Sequence, residues 1–331
     1  MTNNIKQITM NKLAIGIDIG GTNTAMGVVD SAGNVVMKSN IPTPTHGDVN
    51  AYVADLAAAI QDMMDAVNKL NKQAVIAGIG IGAPNGNFYS GTIEHAPNLS
   101  FKGIVPLVEL IKAKFPALKT VALTNDANAA AIGEMIYGGA KGMKHFAMYT
   151  LGTGVGSGLV VNGDMVYGHD GFAGECGHTT LIPGGRHCGC GGQGHLEAYC
   201  SASGMKRTAM EILVRDNATD SPLADIPYNM LDSKMIYDAA KAGDKVALEV
   251  FEQTGYWLGQ AMADTVHHIS PEAIFLFGGP TAAGELLFKP IRESLEAHLL
   301  PIFKNKVKVL PSSLKAGDAA IVGASALVYA E

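Results

Sequence analysis

The sequence predicts an α/β fold with largely parallel sheets, on three observations. Apolar strands alternate with amphipathic helices along the chain. Glycines cluster where strands end, and one strand–loop–strand plan occurs twice. "LAIGIDI" (13–19) reads as a buried strand and "AVIAGIGIG" (74–82) as another. Between them, "DVNAYVADLAAAIQDMMDAVNKL" reads as a long amphipathic helix. Asp48 is placed to cap it, because a short carboxylate accepts from the unpaired N–H groups of a first turn. "TVALTN" (120–125) is a short strand, and "DANAAAIGEMIYG" a helix that glycine ends. Further on, "VALEVFEQTGYWLGQAMADTVHHI" is helical, "EAIFLFGG" a strand and "DAAIVGASALVYA" a closing helix. The polar, aperiodic stretch 211–235 reads as an insertion or loop-rich cap.

The repeated plan is the strongest organisational signal. "AIGIDIGGTNTAMGVVDSAGNVV" (14–36) and "FAMYTLGTGVGSGLVVNGDMVYG" (146–168) each run strand, Gly/Thr loop, strand, turn, strand. Both turns, "SAGN" and "NGD", suit hairpins. Two matching copies point to two related halves, each presenting one glycine loop toward a shared ligand.

Composition bounds what that ligand is. A chain of 331 residues, 47% apolar and 16% charged, has the makeup of a well-buried globular protein; at roughly 150 residues per domain it holds about two domains. A net charge of −6 argues against a general nucleic-acid binder. The start, "MTNNIKQITMNK", lacks the apolar core of a signal peptide, and no apolar run is long enough for a bilayer. Four cysteines do not make a disulfide scaffold in a chain this long. A cytoplasmic protein with reduced thiols is expected, acting on a small molecule and not on nucleic acid or membrane.

The glycine loops have the chemistry of anion sites. "DIGGTN" offers Gly20, Gly21, Thr22 and Asn23 after a strand, and "LGTGVGSG" offers Gly152, Thr153 and Gly154. Such loops turn successive N–H groups toward one point and suit phosphates. Neither is a Walker or Rossmann pattern. Asp18, at its strand's end, is suited either to hold hydrated Mg²⁺ or to cap the turn. "FLFGGP" (275–280) ends a strand in glycines, and Gly279 leaves room for a base or ribose.

"RHCGCGGQGHLEAYCS" (186–201) raises a different question. A redox pair usually has CxxC spacing, but one residue separates Cys188 from Cys190. A structural Zn²⁺ takes four N/S ligands in tetrahedral array. His178, Cys188 and Cys190 supply three, and the loop offers His187 or His195 as the fourth. Cys176 and Cys200 read as buried small residues.

With Asp18–Asn23, the second glycine loop and "GECGHTTLIPGGRHCGCGGQGHLE" (174–197), the chain resembles the ROK family of sugar kinases and sugar-responsive repressors over about residues 12–330. The resemblance implies a two-domain actin/hexokinase-type (ribonuclease H-like) α/β fold, with ATP and a sugar meeting in an interdomain cleft. The division expected is a smaller N-terminal domain, 12–124 plus 315–331, and a larger C-terminal domain, 125–314, carrying the zinc loop. It implies an ATP- and Mg²⁺-dependent transferase of carbohydrate metabolism, glucokinase-like, that phosphorylates the 6-hydroxyl of a hexose. Glucose is the expected substrate. The alternatives are N-acetylmannosamine, N-acetylglucosamine or a non-catalytic sugar sensor of the same family. About a dozen residues precede the first strand, fewer than a helix-turn-helix needs. A zinc hydrolase built on residues 178–195 is a third class, and it requires an open coordination position. Dimers are common among such enzymes, so a homodimer is expected.

Phosphoryl transfer to a hydroxyl needs in-line positioning, charge neutralisation and a base. "TNDANAAAIGE" supplies a carboxylate after a strand: the resemblance makes Asp126 the base and Asn125 a sugar contact. Taken alone, either residue is a natural helix cap. The resemblance also assigns Asn98, Glu175, His178 and Glu197 to the sugar. It places the fourth zinc ligand at His195, where relatives usually carry cysteine, and leaves His187 a bystander. With four protein ligands, that zinc is structural. One departure stands out: Asn85 occupies the position where the family usually has glycine, which leaves the local turn in question.

Overall fold

The computed structural model describes residues 12–44 and 47–330. The leaderless start expected at "MTNNIKQITMNK" therefore lies almost wholly outside the described residues, as does position 331 of the smaller domain. Contacts divide the chain into two units. Unit 1 has the bounds Met1–Gly142, Tyr167–Ala173 and Ser313–Glu331, and unit 2 has Met143–Val166 and Gly174–Ser312.

Unit 1 opens with β1 (Lys12–Ile19), β2 (Asn23–Asp30), β3 (Val35–Pro42), α1 (Val49–Leu70) and β4 (Val75–Gly82). Three short strands follow, β5 (Gly86–Asn87), β6 (Thr92–Glu94) and β7 (Ile104–Val105), then α2 (Leu107–Lys114), β8 (Thr120–Thr124) and α3 (Asp126–Tyr137). The main sheet has the order β3-β2-β1-β4-β8. Its first two pairings are antiparallel and its last two parallel, so the sheet is mixed where a largely parallel one was expected. The reason is connection length: short turns reverse the chain, whereas the parallel neighbours are reached through longer crossovers that carry α1 and α2. Asp48 caps α1 as expected, its carboxylate accepting from the Asn50 N–H at 2.8 Å. Ile15, Ile17, Ile79 and Ile81 are fully buried on this sheet, each worth roughly 2 kcal/mol of transfer free energy.

Unit 2 repeats the plan. It contains β9 (Phe146–Leu151), β10 (Val155–Val161), β11 (Asp164–Met165), α4 (Glu197–Cys200), α5 (Ala202–Arg215), α6 (Ser233–Lys241), α7 (Lys245–Ile269), β12 (Ala273–Phe277), α8 (Glu285–His298) and β13 (Lys308–Pro311). The sheet order, β11-β10-β9-β12-β13, matches that of unit 1 strand for strand. The "NGD" turn puts Asn162 at φ 58° and Gly163 at φ 88°, the pair of left-handed residues that a tight hairpin requires. The stretch 211–235 is less loop-rich than expected. Helix α5 runs to Arg215, α6 starts at Ser233 under an Asp232 cap, and buried Leu223 and Leu231 pin the turns between them to the core.

The chain then returns to unit 1 as α9 (Ala319–Ala326). Helix α9 lies so close to β1 and β4 that a Cβ at Gly16 would overlap the Ile321 carbonyl, and one at Gly80 the Ala324 carbonyl. That approach explains glycines inside buried strands, where they otherwise cost stability. Helix α3 packs on α9, which keeps it in unit 1. The crossing therefore falls after Gly142, not at the expected 124/125, and the return falls after Ser312. Segment 167–173 also joins unit 1, where the Asn87 side-chain amide donates to the Asp170 carbonyl at 2.8 Å. Among the described residues, no helix is long and apolar enough to cross a membrane.

Candidate active site and metal centre

In unit 1, three parallel strands end side by side. Asp18 of β1 pairs in register with Gly82 of β4, and Gly82 with Thr124 of β8. Gly82 puts no side chain between the two outer strand ends. Asn125 caps α3, its Oδ1 accepting from the Asn128 N–H at 2.6 Å, and Asp126 takes the first helical position. The cap thereby fixes the direction of Asp126, whose carboxylate accepts from the Ala127 N–H at 2.9 Å. Asp126 is open to solvent at its surface yet set within dense protein, and that desolvation holds its pKa above the ordinary carboxylate value. Asp18 is half-buried. Burial, and second the charge of Asp126, push it up to about 6.

The first glycine loop is tightly braced. The Gly20 N–H donates to the Asn23 carbonyl at 2.9 Å, and the Thr43 N–H to the Thr22 carbonyl at 2.8 Å. Gly21 lies against the carbonyl of exposed Asn98, where a Cβ would come within 2.7 Å. Gly21, Thr22 and Asn23 are exposed. Asn85 resolves the departure noted in the sequence. It adopts φ 51°, the left-handed conformation a glycine would hold, and its amide donates to the Glu94 carbonyl at 2.9 Å. Asparagine tolerates this region better than other side chains, so the turn is preserved.

In unit 2, Glu175 is exposed and precedes a 3-10 turn at Cys176–His178, which Ser157 fixes by accepting from the Cys176 N–H at 2.9 Å. His178, Cys188, Cys190 and His195 converge, with one ligand atom from each lying within 4.8 Å of all the others. Cys188 Sγ is 3.7 Å from His178 Nδ1, and Cys190 Sγ is 3.2 Å from His195 Nδ1. Tetrahedral Zn²⁺ with N and S ligands separates them by about 3.3–3.8 Å, so donor set and spacing both fit. His187 lies outside the cluster, its ring 3.4 Å from the Gln193 amide. Cys200 is buried as expected, whereas Cys176 is only half-buried. Glu197 is half-buried beside the second glycine loop. Gly152 and Thr153 of that loop are exposed, and Gly279 has open space where a Cβ would stand.

Sequence reasoning missed Arg186. Its guanidinium donates to the Ala198 carbonyl at 3.1 Å, to Thr208 Oγ1 at 3.1 Å and to Glu211, and it lies 4.6 Å over the Tyr199 ring. The backbone N–H of Arg186 donates to the Tyr199 hydroxyl at 2.8 Å. This one residue ties the metal loop to α4 and α5. A lone arginine opening an otherwise uncharged glycine loop was the available signal.

Two sheets of one topology, each with a glycine loop after its first strand, define the actin/hexokinase-type class of α/β proteins. The chain belongs to the ROK family, whose model matches residues 14–331. It is 36% identical over 318 residues to a glucokinase of Halalkalibacterium halodurans, covering 95% of this chain and 94% of that protein. A solved ROK family glucokinase from Streptomyces griseus, in complex with glucose and AMPPNP, is 32% identical with a TM-score of 0.78, covering 95% of this chain and 98% of the other. An N-acetylglucosamine repressor of Escherichia coli O157:H7 is 27% identical, covering 97% of this chain and 76% of its own length.

Proposed function

We propose that this chain is an ATP-dependent glucose kinase that phosphorylates the sugar's 6-hydroxyl, with Asp126 as general base. The observation that carries the reading is a capped, solvent-reachable Asp126 of raised pKa beside Asp18, in a chain so similar to glucokinases. Asp126 takes the hydroxyl proton, the sugar oxygen bonds to the γ-phosphorus, and the bond from that phosphorus to the bridging oxygen breaks, leaving ADP. A base of raised pKa accepts that proton more readily than an ordinary carboxylate. Asn125, held by its cap bond, and Asn98 are assigned to sugar hydroxyls in unit 1, and Glu175, His178 and Glu197 in unit 2. The Nδ1 of His178 faces Cys188, which leaves Nε2 for the sugar.

Asp18 is assigned to the hydrated Mg²⁺ that arrives with ATP and that offsets phosphate charge. Gly20–Asn23, Gly152–Gly154 and Gly279 are assigned to the nucleotide. His178, Cys188, Cys190 and His195 would hold a structural Zn²⁺, which would fix the loop around the sugar-binding carboxylates Glu175 and Glu197 and would supply no chemistry of its own. The test is ADP release across a panel of hexoses and N-acetylhexosamines, with Asp126→Asn as control. Glucose should stand above the rest. The variant should keep sugar affinity while losing roughly 10²–10⁴-fold in turnover. Turnover undiminished in Asp126→Asn removes it as the base, and no activity on any sugar favours a sensor.

A further inference from the structure

Glu197 does more than present a carboxylate to a ligand: it fills the space between two glycine segments of unit 2. Its Oε2 accepts from the Val155 N–H at 3.1 Å, at the point where the Gly152–Gly154 loop enters β10. A Cβ on Gly154 would overlap that same oxygen. On the other side, Oε1 stands 3.3 Å from Cys188 Sγ, and even a Cβ on Gly189 would stay 4.0 Å away from it. The loop is gripped again at its start, three residues before Val155, where the Ala202 N–H donates to the Gly152 carbonyl at 2.9 Å.

A three-residue run with two glycines has wide conformational freedom when unbraced. Its N–H groups bind an anion well only if their directions are set beforehand, because ordering on binding subtracts from affinity. A charge-assisted hydrogen bond at the loop's exit supplies that constraint. We infer that Glu197 is a positioning residue for the second glycine loop, fixing the N–H groups that receive nucleotide phosphate, in addition to its place at the sugar. The identity of the ligand rests on the kinase reading above.

Calorimetric titration with Mg·ADP, without sugar, tests this. Glu197→Ala should weaken binding about tenfold, the loss expected for one hydrogen bond to a charged acceptor. Glu197→Gln keeps an oxygen for the Val155 N–H and should stay within about threefold of wild type. Gly154→Ala, whose φ lies outside the left-handed region, should also weaken binding. Its effect should shrink in the Glu197→Ala background, because the overlapped oxygen is gone. Nucleotide affinity unchanged in Glu197→Ala, with sugar affinity lost, would leave Glu197 a sugar ligand only and overturn the inference. Equal losses in the Ala and Gln variants would overturn it too. If Glu197→Ala fails to fold by circular dichroism, Gly154→Ala alone decides, and wild-type nucleotide affinity in that variant counts against the contact. A wild-type chain that binds no adenine nucleotide would instead sink the kinase reading.

Discussion

Asp18, near the end of β1, and Asp126, which opens α3 just after β8, lie on either side of β4, and the charge of Asp126 reaches Asp18 across Gly82. Burial is the larger cause of the Asp18 shift and the neighbouring carboxylate the smaller. Asp126→Asn should therefore lower the Asp18 pKa from about 6 without returning it to 3.8. Carboxyl carbon NMR titration of the nucleotide-free protein would read the shift directly. An unchanged Asp18 pKa would mean the two carboxylates do not interact.

The same shift makes a statement about stability. A carboxyl group whose folded pKa lies above its unfolded value binds more protons when folded. Stability then declines as pH rises from about 4 to about 6, and the deficit persists at neutral pH. Asp18→Asn removes the group and should stabilise the metal- and nucleotide-free protein at pH 7 by about 1–3 kcal/mol. At pH 3 the gain should vanish. Urea unfolding at both pH values checks the difference, and a variant equally stabilised at both would exclude this cause.

Much of the site was legible because its signals are local. Asp48 and Asn125 are caps, and a cap is specified by residues within one turn. The repeated hairpins were legible for the same reason, since each strand pairs with its sequence neighbour. The pairings that brace the site are not local. Glu197 meets Val155 and Arg186 meets Glu211 through the path of the chain in three dimensions, which periodicity does not encode. The boundary at Gly142 was hidden because α3 is alanine-rich and buried on most of its surface. Such a helix looks the same whichever unit covers it.

Zinc removal separates the roles of the two loop histidines. The purified protein should carry one Zn²⁺ per chain by mass spectrometry. His195→Ala should lose it, while His187→Ala should retain it, because His187 faces Gln193 and not the sulfurs. Chelation should raise the sugar KM several-fold before unfolding sets in, since His178 is itself one of the four proposed ligands and Glu197 touches another, Cys188. Full metal loss with unchanged sugar KM would detach the metal from the sugar site.

Arg186 offers a separable test of what holds that loop. Its side chain is 13% exposed, whereas that of its acidic partner Glu211 is 60% exposed. Ion pairs of that kind contribute little, typically about 0.2–1 kcal/mol. Most of the effect should therefore come from the donors aimed at the Ala198 carbonyl and Thr208 and from the stack on Tyr199. Glu211→Gln should cost less than about 1 kcal/mol. Arg186→Met, which keeps the aliphatic stem but none of the donors, should cost about 2–3 kcal/mol through the unpaired groups it leaves. Because the Gly194 N–H donates to the Arg186 carbonyl at 2.8 Å, loosening Arg186 also loosens the turn that carries His195. Zinc competition by a chelator, measured well below the melting transition, should then show weaker retention in Arg186→Met and none of that weakening in Glu211→Gln. Equal costs in the two variants would assign the anchor to the ion pair and contradict this account.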